Sequence, residues 1–362
     1  MRVRRDGWVV MLEGDRGRWG GELRRRQVFR RLAERTGATL LEGFGPADVR
    51  RTFGRLSYVP LPLPSFRGGS RPRLAASDPL RPDVLWAIRR LTDPAALAYY
   101  DDPIAQTRAL GIRLPWARER LLRAKRSANL AAFRWHVVPS RSFAELVGLD
   151  AGRVIVAGNG TDATRIRPGE WPLEPTIGMV SGAAPGRGIE HLISAARLVR
   201  ERIPEIQLRL WLVATGERSA DYLAALRQAA SDEPWIRIGP AGYDDLGAAL
   251  SQATVLTIPH PSGDYMDVAL PVKLYDSMAA GRPLVVTPRT ETRALVEEHG
   301  AGVVAAGDEP EDLAEALLTV LADPDLARRL GGAARAAAEK EFDWAIVGDR
   351  VTSAILEREG GS

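Results

Sequence analysis

From about residue 170 onward, short apolar runs alternate with amphipathic segments, and this alternation constrains the fold more than any other property of the chain. Runs near 176–180, 206–213, 235–238, 254–258, 284–287 and 302–305 have the length and composition of buried strands. Segments near 188–202, 219–230, 243–251, 272–280, 291–298 and 309–321 carry apolar residues at helical spacing. Strands separated by helices predict a parallel sheet covered on both faces, because parallel neighbours require a crossover connection. The Ala-rich stretch from Asp323 to about Arg358 reads as helix, broken near Phe342-Asp343-Trp344.

The first half follows the same rule with weaker signals. Strands are expected at Gly7–Glu13, Ala38–Leu41, Ala95–Tyr100, Trp135–Val138 and from Val154, and helices at Glu22–Arg35, near Ala47–Phe53 and at Trp116–Phe133. Residues 57–82 are rich in Pro, Gly and Ser and fit an irregular segment better than a regular element. At 362 residues the chain is long for one core and comfortable for two. The proline-bearing stretch Asn159–Pro175 is the best linker, which gives expected domains at 1–165, completed by 344–362, and at 170–343. Two doubly wound α/β domains offer a ligand the cleft facing the strand C-termini.

Composition removes several classes of function. No apolar run approaches the roughly 18 residues that span a bilayer. The basic start Met1–Asp6 is not followed by the apolar stretch of a signal peptide, so a cytoplasmic protein is expected. Cysteine is absent, which excludes disulfides and thiolate metal sites, and His136, His191, His260 and His299 lack zinc-like spacing. The formal net charge of +4 hides an asymmetry: residues 1–170 hold 32 Arg and Lys against 17 Asp and Glu. An excess of that size suits an anionic partner such as a membrane surface or a phosphorylated acceptor, although arginine on solvated helices has the same appearance. Lys125 is the one lysine of that half and no aromatic-interleaved RNA motif occurs, so nucleic acid is not expected.

The most specific local pattern is Leu270-Pro271-Val272-Lys273-Leu274-Tyr275-Asp276-Ser277-Met278-Ala279-Ala280-Gly281-Arg282-Pro283. Proline suits a helix start, Gly281 a helix stop, and Pro283 prevents the helix from resuming. The helix start is a seat for phosphate, and a carboxylate one turn in can grip a diol. Together they describe a nucleoside diphosphate, although Pro-opened, Gly-closed helices also occur as plain structure. A second pattern, Ile177–Ile189, is strand, glycine-rich turn and helix with Arg187 at the turn, and it lacks a dinucleotide fingerprint. A third is a strand ending in Asn159-Gly160-Thr161-Asp162, first of all a turn signal.

In this order the three patterns resemble the GT-B-fold glycosyltransferases, and in particular the retaining group called glycosyltransferase family four. The resemblance covers about 170–340 well and the first half loosely. It implies transfer of a sugar from a nucleotide-diphosphate sugar to an acceptor hydroxyl with retention, with no cofactor or metal required. The pathway implied is assembly of cell envelope, polysaccharide or glycolipid, at the cytoplasm or peripherally on an anionic membrane. Asp276 then matches the acid on the donor ribose, where the family usually has glutamate. Leu270, Val272 and Lys273 match the segment meeting the diphosphate, Arg187 its cationic partner, and Gly20 and Gly21 the glycine loop of the first domain. His260 precedes the signature helix and is expected to reach the donor sugar. Two family positions are altered: Val268 stands where an upstream glutamate is usual, and Ala183 where a second cation is usual.

Charge building on the leaving phosphate makes catalysis mostly electrostatic, carried by Arg187 and backbone N–H groups. Asp101 and Asp102 are candidates to orient the acceptor; they also read as an Asp-Pro turn capping the next helix. The basic helix with Arg118, Arg120, Arg123, Lys125 and Arg126, followed by Arg134, suits an anionic or lipid-linked acceptor. A non-catalytic GT-B subunit and a sugar-nucleotide epimerase remain as alternative functions.

Overall fold

Why the chain forms strands where it does is clearest in β1 (Trp8–Leu12), whose five residues are all buried. Trp8, Val10 and Leu12 enter one core layer, while Val9 and Met11 enter the layer on the opposite face. A strand buried on both faces needs helices on both faces, which is the condition a parallel sheet fulfils. The computed structural model describes residues 7–12, 27–42, 71–90, 92–214, 216–242 and 244–360. It divides into two compact units, Met1–Ile104 with Leu114–Gly158 and Trp344–Ser362, and Ala105–Arg113 with Asn159–Asp343.

The first unit holds β1, β2 (Thr39–Glu42), β3 (Arg73–Ala76), β4 (Asp93–Ala98), β5 (Trp135–Val138) and β6 (Val154–Val156) in the order β2-β1-β3-β4-β5-β6. All five pairings are parallel. The returning C-terminal helix Trp344–Gly360 packs Trp344, Val347, Val351 and Ile355 onto the β1 face. Near its end, Glu359 accepts hydrogen bonds from Arg73 Nε (2.7 Å), Arg134 Nη2 (2.7 Å) and Trp135 Nε1 (2.8 Å).

Three elements differ from the sequence expectation. Strand β3 and the helix Pro82–Ile88 form in and just after the Pro/Gly/Ser-rich stretch. The prolines there do not interrupt these elements. Pro72 precedes the strand, and Pro82 opens the helix, where its missing N–H costs nothing. A short helix, Asp264–Val268, also precedes the signature helix. The helix expected near Ala47–Phe53 and the start of the Glu22–Arg35 helix lie outside the described residues.

The second unit holds β7 (Thr176–Gly182), β8 (Gln207–Val213), β9 (Ile236–Gly239), β10 (Val255–Ile258), β11 (Leu284–Val286) and β12 (Gly302–Val304) in the order β12-β11-β10-β7-β8-β9. Every pairing is parallel here too. The chain starts in the middle at β7, builds outward through β8 and β9, then crosses back to β10. Strand order therefore reverses between β7 and β10, and the loops leaving these two strands diverge at their C-terminal ends. After Ala337 the chain widens into a π turn, Ala338–Phe342, and straightens at Asp343, where the sequence expects a break. Thr161 forms an isolated parallel bridge to Asp343, whose carboxylate accepts from the Ala163 N–H (3.2 Å).

Candidate active site

The reversal point of the second sheet gathers residues from four separate segments. Strand β7 brings Ser181, and the turn after it brings Arg187 between Gly186 and Gly188, both at φ of 74°. That conformation is open to glycine and costly for other residues. Gly188 also lies directly on the loop after β10: a Cβ there would sit 1.6 Å from the Pro259 carbonyl oxygen. Absence of a side chain thus presses the Arg187 turn onto the loop that carries His260.

His260 is 1% exposed, and neither ring nitrogen has a hydrogen-bond partner. Its carbonyl accepts from the Thr287 hydroxyl. The next turn of that loop is tied down by Asp308, which accepts from the Ser262 N–H (2.9 Å) and pairs with Arg289. Arg289 also bonds Asp267 at 2.9 Å, so the acid beside Val268 is spent on a structural ion pair. Val268 itself is half-buried at the end of its short helix.

The signature helix runs Val272–Ala279, with Pro271 as N-cap and no side chain capping its start. Its C-terminal stop is Gly281 at φ 66°, as the sequence implies. Lys273 Nζ donates to Ser181 Oγ at 3.2 Å, so its amine rests on a hydroxyl rather than on a carboxylate. Burial and the neighbouring Arg187 hold that amine well below the ordinary lysine value. Burial likewise holds His260 well below the usual imidazole range, with Lys273, Arg187 and Arg289 adding repulsion. Lys273, Arg187 and Arg289 all oppose a proton on His260, and a diphosphate placed among these groups would offset that repulsion.

One turn along the helix, Asp276 is 8% exposed and accepts from Thr161 Oγ1 at 2.8 Å. Burial raises its pKa to about 7, and the Thr161 hydrogen bond works against that rise. Asn159 Nδ2 donates to the Leu270 carbonyl, so the Asn159–Thr161 stretch holds both ends of the helix's first half. Thr161, Ser181, Arg289 and Asp308 are not identified as site residues by sequence reasoning. Their partners lie 115, 92, 22 and 46 residues away, beyond the reach of any local pattern. Ala183 is buried and its N–H donates to the Val213 carbonyl (2.8 Å), so its position contributes backbone alone.

In the first unit, Asp102 makes the helix cap that is the alternative reading of its Asp-Pro turn. Its buried carboxylate accepts from Tyr99 OH (2.6 Å), Arg126 Nη1 (3.0 Å) and the Ile104 N–H (3.1 Å). It caps the Pro103–Ala109 helix and neutralises Arg126, while Asp101 is half-buried beside it. Arg126 and Arg134 are withdrawn from the expected basic face by the same logic, since Arg134 pairs with Asp93 and Glu359. Gly20 and Gly21 lie outside the described residues.

Two parallel six-stranded sheets, one of them with this pocket at its reversal point, define a GT-B protein. Residues 174–323, which carry Ser181, Arg187, His260 and Lys273, match the family described as Glycosyl transferases group 1. A GDP-mannose-dependent monoacylated alpha-(1-6)-phosphatidylinositol monomannoside mannosyltransferase of Corynebacterium glutamicum is 31% identical over 206 residues, 54% of this chain and 51% of that protein. A D-inositol 3-phosphate glycosyltransferase of Nocardia farcinica is 28% identical over 221 residues, 57% of this chain and 48% of that one. The chain thus spans about half the length of these curated relatives. Among solved structures, sucrose-phosphate synthase from Thermosynechococcus elongatus superposes with a TM-score of 0.70 at 16% identity, covering 99% of this chain and 100% of that one. Anabaena HepE in complex with UDP-glucose gives 0.68 at 16% identity, covering 96% and 99%. At such identity the likeness is one of fold.

Proposed function

We propose that the protein is a retaining glycosyltransferase that moves a hexose from a nucleoside-diphosphate sugar to an acceptor hydroxyl. The observation that carries this reading is the meeting of Lys273, Arg187 and His260, with an uncapped helix start, at the reversal point of the second sheet. The diphosphate lies against Lys273, Arg187 and the N–H groups of Val272 and Lys273, with Leu270 lining the approach. Asp276, oriented by Thr161, accepts from the ribose hydroxyls. His260 faces the phosphate end and the sugar it carries. As the bond from the anomeric carbon to the diphosphate breaks, negative charge grows on the leaving oxygen, where these donors are already aimed. No metal is needed in this scheme, because protein cations carry the charge. From the sequence resemblance, Gly20 and Gly21 are assigned to donor phosphate binding and Asp101 to orienting the acceptor.

The acceptor we infer is lipid-linked or otherwise anionic, approached by a protein that works at the inner face of a membrane. The helix Trp116–Ala132 supports this: a single one of its residues, Asn129, is buried, and Trp116 and Leu121 stand 76% and 63% exposed among Arg118, Arg120 and Arg123. The Corynebacterium relative is itself named for a phosphatidylinositol-linked acceptor. No helix of the described residues is long and apolar enough to cross a membrane.

A thermal-shift panel of UDP, GDP and their sugar conjugates tests the donor site, because a ligand at a hundredfold its Kd stabilises by about 2.7 kcal/mol. One nucleotide series is expected to raise the melting temperature, and its sugar conjugate to release nucleotide when lipid acceptor is added. Absence of any nucleotide binding would overturn the reading. Release of free nucleotide without transfer, or conversion of the sugar without an acceptor, would overturn the transfer step alone.

A further inference from the structure

The buried imidazole of His260 is the part of the pocket that the donor reading leaves unexplained. A neutral imidazole has one donor and one acceptor nitrogen, and a buried side chain rarely leaves both unmatched. Here both are unmatched, in a residue that is 1% exposed and held by its backbone rather than by its ring. The groups facing it from each neighbouring segment are cationic. Lys273 stands at the start of the signature helix, Arg187 at the turn after β7, and Arg289 beyond β11. Arg289 has two carboxylate partners, Asp267 and Asp308. Asp308 also accepts from the Ser262 N–H, which ties it to the loop that carries His260.

A ring in this setting has a reason to stay neutral and no partner to bond. An arriving diphosphate changes both conditions, since it supplies acceptor oxygens and outweighs the surrounding positive charge. We propose that diphosphate binding at this pocket is coupled to the uptake of one proton by His260, whose imidazolium then donates to a phosphate oxygen. The inference rests on the donor-site reading and adds a proton to its stoichiometry. His260 is thus a binding residue that titrates, and donor affinity acquires a pH dependence that an arginine in its place would not give. Burial and the three cations depress the imidazole in the empty pocket. The empty protein therefore lacks the proton that the complex holds, and affinity falls as pH rises. One linked proton corresponds to as much as tenfold in the association constant per pH unit.

Calorimetric titration of the full chain with inorganic pyrophosphate and with UDP or GDP, in two buffers of different ionisation enthalpy, counts the protons directly. Wild type is expected to take up close to one proton per ligand at neutral pH, beyond the ligand's own change. His260→Asn is expected to bind more weakly, by about tenfold, and to lose that uptake. Lys273 is the competing proton acceptor, because its amine is depressed as well. Uptake that survives in His260→Asn and disappears in Lys273→Met would overturn the assignment. So would binding by wild type with no uptake, while absence of binding altogether would overturn the donor site itself. Should His260→Asn fail to fold, the imidazole proton resonances of wild type give the same answer. One histidine is expected to shift toward its protonated position on adding pyrophosphate, and no shift would overturn the proposal.

Discussion

Asp276 and His136 show how single buried groups set opposite pH responses in one chain. Asp276 has a folded pKa raised to about 7 from an ordinary 3.8, because burial penalises the carboxylate. Its stabilising proton is fully in place below pH 3.8, and that contribution is lost as pH rises toward 7. His136 is the reverse: burial, reinforced by Arg153, lowers it from 6.5 to about 4. The unfolded chain protonates His136 first, so stability is lost as pH falls from 6.5 toward 4. Each contribution is on the order of 3–4 kcal/mol. Asp276→Asn keeps the oxygen that accepts from Thr161 and removes the buried charge. It is expected to be more stable than wild type at pH 8 by a few kcal/mol, on the order of the shift, and to show no gain near pH 4. Its nucleotide affinity is expected to fall at least about tenfold, because a charged acceptor for the ribose diol is lost. Urea unfolding at the two pH values and nucleotide titration check both halves. A variant as destabilised at pH 8 as at pH 4 would contradict the burial argument.

Between elements, the site depends on contacts that a single strand or helix cannot specify. The Gly186–Gly188 turn fits the Pro259–His260 loop because Gly188 has no Cβ, and Gly188→Ala adds one where the Pro259 carbonyl stands. The turn must move, and Arg187 with it. Pyrophosphate affinity is expected to drop by tenfold or more, on the order of one charge-assisted hydrogen bond, with the circular dichroism spectrum retained; unchanged affinity would refute the packing role. Arg282 is a second such contact: buried, it donates to the carbonyls of Ala253 (2.8 Å), Gly169 (3.1 Å), Glu170 (2.6 Å) and Ser251 (2.8 Å). Arg282→Met fills the volume and leaves the carbonyls without their donor, which is expected to cost about 3–5 kcal/mol in chemical unfolding. The second unit's six strands are legible in sequence because each is a short, mainly apolar run between helices. The first unit's β3 is not: Arg73-Leu74-Ala75-Ala76 is alanine-rich, short and flanked by turn residues, so tertiary burial rather than β-propensity makes it a strand. In the site, Lys273 and Asp276 are legible because one helix carries both. Ser181 and Arg289 are not, and Asn159 and Thr161 show in sequence only as a turn signal, because their roles exist only once distant segments meet. The pairing of Asp102 with Arg126 is hidden for the same reason, since Arg126 lies on a helix further along the chain.

At the scale of the whole molecule, the charge split of the sequence leads to a prediction about anionic membrane surfaces. Ion pairs absorb part of the first half's excess, since Arg126, Arg134 and Arg73 are each paired with a carboxylate. What stays on the exposed side of the Trp116–Ala132 helix is a mixed set: Trp116 and Leu121, with Arg118 and Arg120 beside them and Arg123 in an exposed pair with Glu119. Exposed pairs hold weakly, so Arg123 can exchange Glu119 for a lipid phosphate. Tryptophan suits the headgroup boundary, and each basic residue near an anionic surface contributes about 1 kcal/mol, screened by salt. Binding to phosphatidylglycerol-containing vesicles is therefore expected at low ionic strength and to weaken steeply as salt is raised. Trp116→Ser with Leu121→Ser removes the apolar share and is expected to weaken it by roughly tenfold or more. Arg118→Gln with Arg120→Gln is expected to weaken low-salt binding and to flatten its salt dependence, leaving UDP or GDP affinity unchanged. Vesicle co-sedimentation separates these outcomes. Equal binding to neutral and anionic vesicles would remove the electrostatic part, and wild-type binding by the Trp116/Leu121 variant would remove the helix as the docking face. Transfer to a soluble acceptor should be insensitive to either pair of substitutions, because none of Trp116, Leu121, Arg118 and Arg120 is assigned to the donor site.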